Sequence, residues 1–270
     1  MGTAQTIPGV SGGTIAFVTG IYNKLIYEIN SINPKTPLKL LKLDFRKFYD
    51  DLMGFDYGFL LPLGFGILFS MWASATVVTF ALKNYTGITF GFFTGLILGS
   101  AVKISYQVSK YNKKSVLTGF IGLLFGLWVT GLTGLSGSNG LITLFLAGFL
   151  SVCALLLPGL SGSLVLMIIG QYERVMSLVS GFQNHLFELS VFFLGGVVSL
   201  LTFVKLLSLL LKKHRNITTA FLTGLVFGSL RLPLYEVYSA VLTGSNVFYT
   251  GLSFALGLVS IHFIGVKGDN

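Results

Sequence analysis

Six stretches of the chain, near residues 57–82, 86–106, 115–133, 190–211, 216–235 and 247–266, run apolar for close to the ~20 residues that a helix needs to cross about 30 Å of hydrocarbon. Two more, 7–22 and 141–172, are as apolar but are interrupted, at Pro8-Gly9 and Pro158-Gly159. Proline removes a backbone donor and glycine relaxes the turn, so a helix is expected to break at each of these pairs. The pattern predicts an all-α integral membrane protein with six spanning helices and two broken segments. No basic segment precedes the first apolar run, so no signal peptide is expected there.

Composition agrees and removes the rivals. Hydrophobic residues make up 53% of the 270 and charged residues 10%, where a soluble chain carries about 25% charged. With mean hydropathy at +0.82 and 25 Phe against nine acidic residues, a water-facing surface cannot be assembled from this inventory. Disorder, collagen and coiled coils each need a charge content or a repeat that is absent. The lone Cys153 permits no intrachain disulfide and no Cys-based metal set, and His185, His214 and His262 are scattered, so no metal or cofactor is expected.

The net charge of +9 would suggest nucleic acid in a soluble domain, but no polar segment carries a basic patch interleaved with aromatics. No nucleic-acid partner is expected. The cations instead set a topology. Of 18 Lys and Arg, six lie in 24–56, four in 103–114, four in 205–215 and one at Lys267, while Lys83, Arg174 and Arg231 fall in the alternate connections. The positive-inside rule places the first group in the cytoplasm, together with both termini. Both 103–114 and 205–215 can be cytoplasmic only if the Pro158 segment enters and leaves on one side. It is therefore expected to be a re-entrant hairpin, and the Pro8 segment a second.

The chain is also written twice. Sliding residues 8–24 onto 158–174 matches six of 17 positions, among them Pro8, Gly9, Ser11, Gly12, Gly20 and Tyr22 with their partners 150 residues on. GFFTGLILGS at 91–100 and AFLTGLVFGS at 220–229 match at six of ten. The expected organisation is a single membrane domain over 1–270. Repeat one, 1–133, holds a hairpin at 1–26 and the helices near 57–82, 86–106 and 115–133; repeat two, 141–270, holds a hairpin at 141–176 and the helices near 190–211, 216–235 and 247–266. Three crossings per repeat invert the second relative to the first, an arrangement found in secondary transporters. The GxxxG spacings at Gly91, Gly95 and Gly99, at Gly122 and Gly126, and at Gly224 and Gly228 predict close helix contacts, within one chain or between two.

Each break is followed by small polar residues: Ser11, Gly12, Gly13 and Thr14 in one, Ser161, Gly162 and Ser163 in the other. These suit helix N-termini, whose free N–H groups and positive dipole end favour an anion such as phosphate; ordinary helix capping explains the same residues. Lys24 and Arg174 occupy matching positions and are expected near opposite membrane faces, to greet an anionic headgroup or to anchor at the interface. Glu173 is the candidate ion-pair partner of Arg174 or a proton acceptor. No HExxH motif and no paired intramembrane carboxylates are present, and no enzyme activity is expected.

The strings IPGVSGGTIAFVTGIY at 7–22, LPGLSGSLVLMIIGQYERV at 157–175 and FLTGLVFGSLR at 221–231 resemble the PopT family of polyprenyl-phosphate translocases over nearly the whole chain. The resemblance implies a multi-pass plasma-membrane protein that moves undecaprenyl phosphate from the outer to the inner leaflet, recycling the lipid carrier for peptidoglycan and other envelope polymers. It places the motif on Pro8, Gly9, Ser11 to Thr14, Pro158, Gly159, Ser161 to Ser163 and Tyr172 to Arg174. Family members commonly carry an Asp before the first Pro-Gly and Glu-Arg after the first Tyr, whereas this chain has Gln5 and Asn23-Lys24. The first hairpin arm also looks short, with seven residues before Pro8 against 17 from Leu141 to Leu157. A small-anion channel or exchanger is the alternative, since helix N-termini bind such ions as readily.

Overall fold

A computed structural model describes residues 1–6, 10–31, 54–108, 111–132 and 140–264. Pro8, Gly9, most of the polar loop 24–56, the uncharged connection after 132 and Lys267 lie outside the described residues.

Every described element is helical. The chain opens with α1 (Gly2–Gln5), α2 (Gly12–Val18) and α3 (Tyr22–Asn30), followed by α4 (Tyr57–Asn84), α5 (Thr86–Ser105) and α6 (Lys113–Val129). Then come α7 (Leu141–Leu156), α8 (Gly162–Ile168), α9 (Tyr172–Ser180), α10 (Leu186–Lys213), α11 (Arg215–Ser229), α12 (Arg231–Leu242) and α13 (Val247–Ile264). Four spans, α4, α5, α10 and the combined α11–α12, are long and apolar enough to cross a membrane, and the bent pair α8–α9 makes a fifth if counted as one. The protein is a multi-pass membrane protein.

The helix ends follow from local chemistry. Asp56 caps α4 by accepting the Phe59 N–H at 3.0 Å, and Asn112 with Ser115 forms a reciprocal capping box on α6. The apolar run near 216–235 does not stay one straight helix: it divides at Leu230. Pro233 has no N–H for the Ser229 carbonyl and its ring crowds that oxygen, which is where α11 stops. Gly20 and Gly170, matched in the two halves, turn the chain after α2 and α8 with φ of 78° and 64°, a left-handed conformation that only glycine adopts cheaply. Beyond Gly170, α9 leaves α8 at 116°.

Glycine decides how the long helices meet. A Cβ on Gly95 would run into the Phe254 carbonyl and one on Gly257 into the Phe92 carbonyl, so α5 and α13 touch backbone to backbone. The same holds for Gly122 and Gly224 between α6 and α11, and for Gly148 and Gly195 between α7 and α10. The contacts advance together, from Gly91 with Thr250 to Gly99 with Ile261 and from Gly119 with Ala220 to Gly126 with Gly228, so both pairs are parallel. The GxxxG faces thus serve within this one chain, where small residues let dispersion contacts form at close range. In the middle, Leu96, Ile97, Ala101 and Ile104 of α5 pack with Leu222, Val226 and Leu230 around the buried α2 residues Ala16, Phe17 and Val18.

Candidate functional site

The two broken segments meet in the interior. Thr14, 1% exposed, turns its Oγ1 to accept the Gly159 N–H at 2.8 Å. Tyr22 donates its hydroxyl to the Leu156 carbonyl at 2.7 Å, and Ser11 reaches the Leu157 carbonyl at 3.4 Å. Two side chains of the first segment, Tyr22 and Ser11, therefore satisfy carbonyls that α7 leaves unpaired at its end, and a third, Thr14, satisfies the Gly159 N–H beyond the break. Gly13 packs closely here, where a Cβ would sit 3.3 Å from the Leu155 carbonyl oxygen and 3.5 Å from that of Leu157. Gly159 has φ of 89° and lies against the Val226 backbone and the Ser229 hydroxyl.

The two serines after the breaks behave differently. Ser11 accepts the Gly13 N–H at 3.2 Å and so caps α2. Ser161 makes no capping bond to α8; its hydroxyl pairs with that of Ser163 at 2.8 Å. Ser161 is buried, Gly162 and Ser163 are partly open, and the first N–H groups of α8 have no side-chain cap. A group with negative charge would find donors there.

Lys24 and Arg174 stand at opposite ends of the molecule. Arg174 donates Nη1 to the Gly140 carbonyl at 3.2 Å, at the start of α7, and to Gln171 Oε1 at 3.3 Å. α7 runs parallel to α10, with Gly148 beside Phe192 and Cys153 beside Ser199, which puts Arg174 near the N-terminal end of α10. Lys24 lies near the other end, sharing a cavity with Lys212 and Arg215. Roughly 40 Å of helix separates them, at 1.5 Å per residue over 28 residues.

The expected Glu173–Arg174 ion pair is not formed. Consecutive helical residues point about 100° apart, and Arg174 turns inward to Gly140 and Gln171 while Glu173 is exposed. The fully buried Gln171 that orients Arg174 went unnoticed in the sequence, although its spacing of three on α9 is the signal that would have found it. Lys24 does have a carboxylate, Asp56 at 2.6 Å, and lies over the Phe59 ring at 4.5 Å. The hydrogen bond from Lys24 holds the Asp56 carboxyl below the usual carboxylate range, so the pair is complete at neutral pH and is lost only as pH falls through that lowered value. Pro158 and Gly159 are buried beside this centre; Pro8 and Gly9 are not among the described residues.

Residues 1–246 match the family described as undecaprenyl phosphate translocase-like. A protein of Vibrio cholerae serotype O1 named polyprenyl-phosphate transporter is 37% identical over 231 residues, covering 85% of this chain and 73% of that protein. One of Staphylococcus aureus, with the same name, is 29% identical over 289 aligned positions, covering all of this chain and 95% of the relative. No solved structure matches.

Proposed function

We propose, from the premise that this chain belongs to the undecaprenyl phosphate translocase-like family, that it moves the phosphate head of undecaprenyl phosphate from the outer to the inner leaflet of the plasma membrane. The relatives named polyprenyl-phosphate transporter support the substrate class, and the apolar helices support the membrane setting. The observation that carries the reading is the contact of two broken segments at the buried Thr14–Gly159 bond, with one basic residue toward each end.

The mechanism we infer is alternating access between inverted repeats, 1–133 and 141–270. Parallel packing of α5 on α13 and of α6 on α11 supports it, since with three crossings in each repeat those pairs run parallel only if one repeat is upside down. Arg174 draws the phosphate at the outer face, and the exposed Glu173, which points away from it, is the candidate proton acceptor. Ser11, Gly12, Gly13 and Thr14 and the facing Ser161, Gly162 and Ser163 hold it at the breaks, and Lys24 receives it inside. The polyprenyl tail stays in lipid. A bare charge at the bilayer centre costs about 2.5 to 3.5 kcal/mol even on lenient scales, which is the barrier such donors lower. No bond is made or broken in the substrate, and both termini face the cytoplasm, where the returned carrier serves envelope polymer synthesis.

Proteoliposomes holding undecaprenyl phosphate and treated with a membrane-impermeant phosphatase test this. Complete hydrolysis with the wild-type protein, against only the outer-leaflet fraction in empty vesicles, is expected. Equal partial hydrolysis in both would favour a small-anion pathway, and phosphate released without added phosphatase would make the protein an enzyme. Unimpaired transfer by Arg174→Ala would remove the uptake role of that residue.

A further inference from the structure

Between α3, α10 and α11 lies a cavity of about 380 Å³ whose walls include Asn23, Lys24, Tyr27, Ser208, Lys212 and Arg215. None of Asn23, Ser208, Lys212 and Arg215 belongs to the Pro-Gly motifs. Three cations from three separate helices converge on one space, and they are not equivalent. Lys24 is neutralised by Asp56, whereas Lys212 and Arg215 have no carboxylate partner among the described residues. Like charges around a shared, solvent-open cavity repel even after screening by water, and an anion that joins them lowers that repulsion. Lys212 is also held, with its ammonium 5.2 Å from the Tyr27 ring centre, as Lys24 is over Phe59. Ser208, 5% exposed, adds a hydroxyl, and Asn23 adds an amide. Arg215 is the first residue of α11, so the positive end of that helix adds to the field.

We propose that this cavity is a phosphate-receiving pocket, in which Lys212 and Arg215 take the phosphoryl oxygens and Lys24 completes the set. A phosphate monoester carries about −1.5 to −2 charges at pH 7 and three acceptor oxygens, which matches the two uncompensated cations Lys212 and Arg215, with the Lys24 ammonium and two neutral donors beside them, better than a halide would. The cavity has room for about a dozen waters at roughly 30 Å³ each, far more than a single bare ion occupies. For the lipid-linked form of the ligand the inference rests on the transporter reading; for phosphate chemistry it stands on the cavity alone.

The test uses the full chain in detergent and in proteoliposomes, with farnesyl phosphate and inorganic phosphate as calorimetric probes. Lys212→Gln with Arg215→Gln is compared with Lys205→Gln with Lys213→Gln, which removes the same charge from the same end but outside the cavity. Farnesyl phosphate is expected to bind the first variant about tenfold or more weaker and the second within about twofold of wild type. Tighter binding of farnesyl than of inorganic phosphate assigns the pocket to the lipid, and equal binding assigns it to the phosphate group alone. Equal weakening in both variants, or in neither, overturns the proposal. Wild-type protein that binds farnesyl phosphate through Lys212 and Arg215 yet moves no undecaprenyl phosphate would overturn the transport reading and leave the pocket standing. Charge-preserving Lys212→Arg is expected to restore binding if the pocket is as proposed, and its failure to do so while folded would count against it.

Discussion

Two loops with nearly the same sequence, SGGT after the first break and SGSL after the second, are wired in opposite ways. The first is closed: Ser11 caps its own helix and reaches Leu157, and Thr14 binds Gly159. The second leaves its helix uncapped, with Ser161 and Ser163 bonded only to each other. The difference teaches that a repeated motif need not do one job twice. The first loop completes the backbone around the second break, and the second leaves the first N–H groups of its helix without a side-chain cap. Of the two readings of these serines, helix capping holds for Ser11 and not for Ser161.

The comparison can be broken by filling the open loop. Ser163→Glu puts a carboxylate beside the uncapped N–H groups of α8, and we expect undecaprenyl phosphate transfer to fall on the order of 100-fold while stability falls by less than about 2.5 kcal/mol, because those N–H groups offset part of the cost of a charge in the membrane interior. Loss of transfer together with a larger loss of stability would show that the loop is structural, like its counterpart. A smaller effect sharpens the role of the support. Gly159→Ala meets both a left-handed backbone and the Val226 and Ser229 atoms, and should cost about 2 to 4 kcal/mol in denaturation of the detergent-solubilised protein. Gly20→Ala shares the positive φ but has open space around it, and should cost only about 1 kcal/mol. Equal losses would mean that the packing around Gly159 yields. Smallest is the tyrosine pair. Tyr22→Phe removes the donor to Leu156 and should cost about 1 kcal/mol, whereas Tyr172→Phe, with no such bond in the structure, should be close to neutral by the same measurement.

Much of the architecture was legible in the sequence because in lipid it follows from run length and breaks. The Pro-Gly pairs and apolar runs announce helices and their interruptions, and Gly20 and Gly170 stood out as a matched pair, though not as turns. The division at Leu230 was also written there, in Pro233, but hydropathy averaging passes over a single proline inside an apolar run. The site was legible in part. Spacing picked out Ser11 to Thr14, Ser161 to Ser163, Lys24 and Arg174, but it could not say that Arg174 turns to Gln171 instead of Glu173, because helical direction decides that contact. Nor could it bring Lys212 and Arg215 to Lys24, since nearly two hundred residues intervene and only the packing of α3 on α10 unites them. Glycine gave the reverse case: the stripes were visible at once, but their partner helices were not.

Those stripes also bear on how the protein is made. The second helix of each half packs its glycines against the third helix of the other half, so neither half contains the partner its own stripe requires. While the chain is being inserted, Gly91, Gly95 and Gly99 face lipid tails until α13 follows, late in synthesis. The α6–α11 and α7–α10 contacts use helices made earlier, so α5 against α13 is the one contact that must await the last described helix, and a chain cut before Val247 would leave the Gly91, Gly95 and Gly99 groove without its partner.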